Sequence, residues 1–353
     1  MSTAAAPTDR RSARLRAAAE IDPTSERGLE SLALGIGTVA FLVTALVALA
    51  AFRLEAAPIA GPNSVGQFSA IAAAVTGILA FAAGRYVVRD RTARVGALDV
   101  VDVAALALAH GVIALLAWTL LADILERGFV GAEVFAVPVL LLSGAVAAIT
   151  AYATFFSATH MSLSLLAVVL AVFLVTGVIA SMLTSGDPLW WKMNLSALGM
   201  TDDLSAFAFN LTLIVAGVIV TTLARYATTG IPSPRPGGVR NVRICLIVVG
   251  VFLACVGIFH VDTHFWVHNT VATGMAVSFA VAAVRLHAWI PGMPRAFVLL
   301  GWLFLAVIVV LGVFFAVGYY TLTAVELVAG ILIFSWIILF LRNAAALQTD
   351  TAG

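Results

Sequence analysis

Three histidines and an aspartate crowd into one short stretch, GIFHVDTHFWVHN, residues 257–269. Imidazole nitrogens and carboxylates are ligands that zinc accepts, so a metal site is the first chemistry to consider. If the stretch is helical, His260, His264 and His268 repeat at four-residue intervals and share a face; if it is extended, His260, Asp262 and His264 point the same way instead. Asp202, Asp203 or Glu326 would complete the shell, and a bound water activated by the ion, with Asp203 or Glu326 as base, would make a hydrolase. Zinc is the one cofactor the stretch suggests. The spacing matches no strong zinc signature, however. The plainer alternative is a polar turn that caps two helix ends beside the aromatic belt of Phe259, Phe265 and Trp266. That alternative leads, because polar residues at helix ends are common and a buried ligand set is rare.

Whatever the chemistry, membrane helices must position it. The chain is 62% hydrophobic and only 10% charged, with a mean hydropathy of +1.10, against about 25% charged in an ordinary soluble domain. Apolar runs at 31–53, 68–88, 99–122, 133–156, 161–184, 204–226, 241–261, 268–289, 296–318 and 321–342 are each long enough to cross a bilayer as helix. They lack the alternation of a membrane barrel, and a helix satisfies its own backbone within lipid. The expected fold is therefore all-α, a polytopic bundle of ten helices. The expected divisions are a polar arm at 1–30, a four-helix part at 31–156, a six-helix domain at 161–342 and a tail at 343–353.

Orientation follows from the basic residues. The N-terminal arm, the loop holding Arg85, Arg89, Arg91 and Arg94, the segment holding Arg225, Arg235, Arg240 and Arg243, and Arg285, Arg295 and Arg342 alternate onto one side, leaving Arg53, Arg127 and Lys192 on the other. Positive loops stay in the cytoplasm, so both termini are expected there. Arginine with a single lysine and abundant alanine suggest a bacterial plasma membrane. Cys245 and Cys255 stand about 15 Å apart along one expected helix, too far for a disulfide.

This topology puts the histidine stretch on the outer face, where TSGDPLWWKMNLSALGMTDD (184–203) supplies further polar groups. Asn210 falls about two turns inside the sixth helix, and Glu326 about one turn inside the tenth. An ionisable group within a span is costly and defaults to a functional hypothesis. Asp202 and Asp203 precede an apolar helix, where a carboxylate caps free amides, and capping is favoured over catalysis there. Trp190 and Trp191 fit an interface anchor. Asn194 and Asn210 begin glycosylation-like triplets that are set aside, since Asn210 lies within a span. Asp99 and Asp102 are expected to cap the third helix or pair with Arg91 or Arg94. His110, near mid-membrane, is expected to bond to a neighbouring helix. No phosphate loop, serine-nucleophile elbow or HExxH motif occurs, which argues against an ATP-driven pump or a familiar protease, and nothing points to a nucleic-acid partner.

The strings NLSALGMTDDLSAFAFNLTLIVAG (194–217) and VGIFHVDTHFWVHNTVATGMAVSF (256–279) resemble the pattern of the family of domain of unknown function 998. Ser196, Leu198, Gly199, Phe209, Asn210, Gly257, Phe259 and His268 stand at its positions, and the likeness covers about 161–342. A related pattern occurs in DRAM-like membrane proteins, and a more distant one in alkaline ceramidase and PAQR-type proteins. The last group implies a zinc hydrolase of lipid amides, but the paired HxxxH of its final helix is missing here. The resemblance implies that Ser196, Asn210 and His268 matter more than His260 or His264. The leading expectation is an outward polar pocket formed by Ser196, Asn210, Asp262, His268 and Glu326 that binds a membrane lipid or small amphiphile. The alternatives are a metal-dependent hydrolase using His260, Asp262, His264, His268 and Asp203, and a structural or regulatory subunit.

Overall fold

The computed structural model describes residues 25–92, 95–231 and 233–352; the arginine-bearing arm before residue 25, and Arg94, lie outside them. Among the described residues ten helices are long and apolar enough to span a membrane. They are α1 (Glu26–Phe52), α2 (Val65–Val87), α3 (Ala97–Gly128), α4 (Ala136–Thr159), α5 (Leu163–Thr184), α6 (Leu204–Thr228), α7 (Pro236–Ile258), α8 (Phe265–Trp289), α9 (Arg295–Ala316) and α10 (Leu322–Ala352). The protein is a polytopic membrane helix bundle.

Local chemistry sets where the helices start. Ser25, Ser64, Ser162 and Asp203 cap α1, α2, α5 and α6, each accepting from an amide three residues on. Pro236 opens α7, where its missing N–H is no loss. Helix α4 begins three residues later than the apolar run, because Glu133 and Val134 (β2) pair antiparallel with Pro58 and Ala57 (β1). Helix α10 runs well past the expected end at 342 into an Ala-rich stretch of good helix formers. There Gln348 donates to the Thr229 carbonyl at 2.6 Å.

The chain divides into two compact units that do not follow chain order: residues 1–96 with 122–160, and residues 97–121 with 161–353. In the first unit α4 packs against α1 and α2 through small residues, with Ala33, Ala40, Ala80, Ala147, Ala151 and Phe155 at the core. A Cβ on Gly84 would sit 3.0 Å from the Phe155 carbonyl, so the absence of a side chain sets that spacing.

In the second unit α6 is the most enclosed helix, packed against α5, α7 and α10, whereas α9 keeps most of its surface free. A Cβ on Gly217 would lie 2.6 Å from the Ala254 amide nitrogen, which brings the α6 and α7 backbones together. Asp99 and Asp102, one turn apart on α3, face Arg225 of α6 at 3.5 and 3.1 Å. The expected reading was a cap on α3 or a pairing with Arg91 or Arg94, and Arg94 lies outside the described residues; the structure adds Arg225, because i, i+3 spacing turns both acids onto the face that meets α6. His110 bonds through Nδ1 to the Leu106 carbonyl one turn back within its own helix.

Candidate functional site

The segment between α5 and α6 folds into two short 3-10 turns, Trp190–Lys192 and Leu195–Gly199. The second is pinned from several sides. Ser205, 1% exposed, bonds to the Ser181 carbonyl at 2.9 Å, and Ser181, fully buried, returns a bond to the Ser205 carbonyl at 3.0 Å. Ser205 also lies 3.4 Å from the Leu198 carbonyl. Asn210 donates from Nδ2 to the Gly199 carbonyl at 3.0 Å. A Cβ on Gly199 would collide with Asn210 Oδ1, so glycine is required for the turn to lie on α6.

Held this way, Ser196 meets α8. Its hydroxyl is 3.0 Å from His268 Nε2, and His268 Nδ1 is 2.7 Å from the Phe259 carbonyl. A carbonyl only accepts, so Nδ1 carries the proton; in the neutral ring Nε2 then accepts from Ser196. His268 itself is 5% exposed. Directly before Ser196, the Leu195 N–H donates to Glu326 Oε2 at 2.6 Å, tying the turn to α10. Beside these bonds two buried atoms have no hydrogen-bond partner among the described residues: Asn194 Oδ1, adjoining Leu195, and Thr323 Oγ1, one turn before Glu326 on α10.

The other candidates go elsewhere. Helix α7 stops at Ile258 and α8 starts at Phe265, so the histidine stretch is neither one continuous helix nor a strand. Backbone bonds from His264 to His260 and from His268 to His264 keep the four-residue rhythm, yet the rings diverge. His260 Nε2 accepts from Asn210 at 3.0 Å. His264 is exposed, 2.9 Å from the Thr263 hydroxyl and edge-on to Phe259, and Asp262 is exposed as well. Asp203 caps α6 through the Ala206 amide at 3.0 Å and accepts from the Thr201 hydroxyl at 2.6 Å. Burial pushes its carboxyl up, but the Thr201 hydroxyl and the amides of Ala206, Gly186 and Ser205 outweigh that and hold it below its ordinary value. Among the described residues no three His, Cys, Asp or Glu side chains gather as a metal-binding group. The residues that the zinc alternative named are thus brought to one end of the bundle and there dispersed to separate partners.

A family model described as protein of unknown function (DUF998) matches residues 165–343, just over half of the chain. The chain belongs to the DUF998 family. The matched part of this DUF998 protein runs from α5 to α10, and it contains the whole Ser196, His268 and Glu326 network. No curated protein and no solved structure matches the chain, and the DRAM-like and ceramidase-type likenesses rest on the residue pattern alone.

The eight residues read from the sequence as family-like make one physical structure in this DUF998 protein. Gly199 and Gly257 let the turn and α7 press on Asn210: a Cβ on Gly257 would sit 2.7 Å from the Asn210 carbonyl. Leu198 and Phe209 are buried, at 1% and 3% exposure. Phe259 supplies the carbonyl, His268 the ring and Ser196 the hydroxyl. Sequence reasoning missed Asn194, Thr323, Ser181 and Ser205. Asn194 was visible only as one polar residue of the outer loop and as a glycosylation-like triplet, and the three hydroxyl residues carry no signal until the helices that face them are known.

Proposed function

We propose that the six C-terminal helices of this membrane protein present an outward-facing polar site that binds the head of a lipid or other small amphiphile. Ser196, His268, Glu326, Asn194 and Thr323 are its polar surface, and Asn210 supports it from below. The carrying observation is that two buried oxygens, Asn194 Oδ1 and Thr323 Oγ1, lack partners among the described residues, beside an otherwise bonded network. A buried polar atom left unpaired costs about 1–3 kcal/mol, which a ligand hydroxyl or amide would offset. The excess of arginine on the opposite loops supports a placement in a bacterial plasma membrane with both termini in the cytoplasm.

A photoreactive monoacylglycerol, which carries hydroxyl donors and a single chain, tests the reading on the full-length protein. Crosslinks concentrate in peptides covering 190–200 and 322–330, and fall several-fold in the Asn194→Ala and Thr323→Val variants. Labelling spread evenly over the lipid-facing helices, unchanged in both variants, would refute it.

One observation favours a second reading as an enzyme. A serine hydroxyl donates to a histidine whose other nitrogen is fixed by an acceptor, the order of nucleophile, base and orienting group in serine acyl-transfer enzymes. Here the orienting group is a neutral carbonyl rather than a carboxylate. In this reading Ser196 attacks the carbonyl of a lipid ester or amide, His268 takes the hydroxyl proton and returns it to the leaving group, and water then releases the acyl chain. A fluorophosphonate that labels Ser196 in wild type but not in His268→Gln supports this reading; an unlabelled Ser196 in folded protein excludes it.

A further inference from the structure

The first unit contains an opening of its own. The last turn of α1, the loop after it and the start of α2 border an open cavity of about 610 Å3. Its polar wall is Arg53, Glu55, Asn63 and Gln67; its apolar wall is Phe52, Phe68 and Ile71. Ile71 is six residues inside α2, about 9 Å along the axis, so the apolar wall continues into the span while the polar wall stays at its end.

Arg53 and Glu55 are both exposed, and among the described residues neither side chain belongs to an ion pair. Two residues of opposite charge, two positions apart, thus line one cavity with no ion-pair partner among the described residues. The backbone holds them there. Arg53 (φ 51°) and Leu54 (φ 63°) are left-handed in succession, and Asn63 (φ 59°) is left-handed across the cavity. These are the only non-glycine residues with positive φ among those described. The chain then enters β1, whose pairing with Val134 and Glu133 fixes the loop.

We propose that this cavity binds a zwitterionic phospholipid of the ethanolamine class. The phosphate rests on the Arg53 guanidinium, the ammonium on the Glu55 carboxylate, and one acyl chain lies along Phe52, Phe68 and Ile71. An anionic headgroup would leave Glu55 against its negative charge, and a neutral one would leave both charges unmatched, so only a headgroup carrying both signs satisfies the pair. The assignment uses no residue of the Ser196 network and stands without it.

The test is native mass spectrometry of the full-length protein titrated with phosphatidylethanolamine, phosphatidylglycerol or diacylglycerol of the same acyl chains. Wild type retains phosphatidylethanolamine about tenfold better than either of the others. Arg53→Gln lowers its retention to the diacylglycerol level, and Arg53→Lys restores part of it. Glu55→Gln inverts the order, so that phosphatidylglycerol is held at least as well. All three variants melt with wild type, since both side chains are exposed. Equal retention of the three lipids by wild type, or phosphatidylethanolamine binding that neither Arg53→Gln nor Glu55→Gln alters, would overturn the proposal. Wild type preferring phosphatidylglycerol would overturn it too, by making the cavity a plain anion site.

Discussion

The helix ends around Ser196 and those around Arg53 manage polar groups in opposite ways. Around Ser196 the side chains bond to one another and to carbonyls: Asn210 to Gly199 and His260, His268 to Ser196 and Phe259, Glu326 to the Leu195 amide. Glycines at 199 and 257 let backbones approach until such bonds close. Around Arg53 the charges are left to the cavity, and left-handed residues hold the loop in shape, at about 1–2 kcal/mol for each such residue. One end has polar residues built into its packing, with two atoms over. The other holds them at its surface. Substitutions in the first should therefore be felt as stability, and those in the second as binding.

The largest effect that would break this contrast is at His268. Removing the ring by His268→Ala deletes two hydrogen bonds and opens a buried space, and should cost about 2–4 kcal/mol, read as a lowered unfolding midpoint in detergent; a midpoint equal to wild type would mean that the network does not hold the bundle end. Gly257→Ala comes next, since its Cβ meets the Asn210 carbonyl and forces α6 and α7 apart, for about 1–3 kcal/mol. Asp203→Ala removes the α6 cap and should cost about 1 kcal/mol at neutral pH. Because the folded state holds this carboxyl below the ordinary 3.8, its contribution is full above that value and fades as pH falls through the depressed one. The gap between wild type and Asp203→Ala therefore closes in strong acid, and a gap independent of pH would show that the charge is not what caps. Smallest is Gly35→Ala in α1, where a Cβ meets nothing within 4 Å. Helical glycine to alanine in open space should stabilise by about 0.5–1 kcal/mol. A loss there would show that the first unit packs more tightly at α1 than its surface indicates.

The ten spans were legible because the bilayer demands long apolar helices, and composition alone reports them. Their ends were less so. Helix α4 starts late because of a two-residue β-ladder between loops far apart in sequence, and α10 runs on through Ala344, Ala345 and Ala346, which hydropathy alone does not register as span. At the site, the family-like positions led to Ser196, Asn210 and His268. Spacing alone misled for His260 and His264: a four-residue repeat implies a shared face only in an unbroken helix, and the break after Ile258 sends each ring to its own partner. Thr323, Ser181 and Ser205 are ordinary residues of apolar helices until the neighbouring helix is known. The Arg225 pairing with Asp99 and Asp102 joins helices more than a hundred residues apart, which no local pattern reports.

The arrangement of Ser196, His268 and Phe259 is the claim on which the site rests, and the protonation pattern of one ring tests it most directly. Nitrogen-15 spectra of histidine-labelled protein, taken at a pH alkaline enough for imidazoles to be neutral and with His268 assigned by its loss in His268→Gln, should show the proton on Nδ1 and an unprotonated, hydrogen-bonded Nε2. A ring protonated on Nε2 alone would contradict the account, because it could neither donate to the Phe259 carbonyl through Nδ1 nor accept the Ser196 hydroxyl.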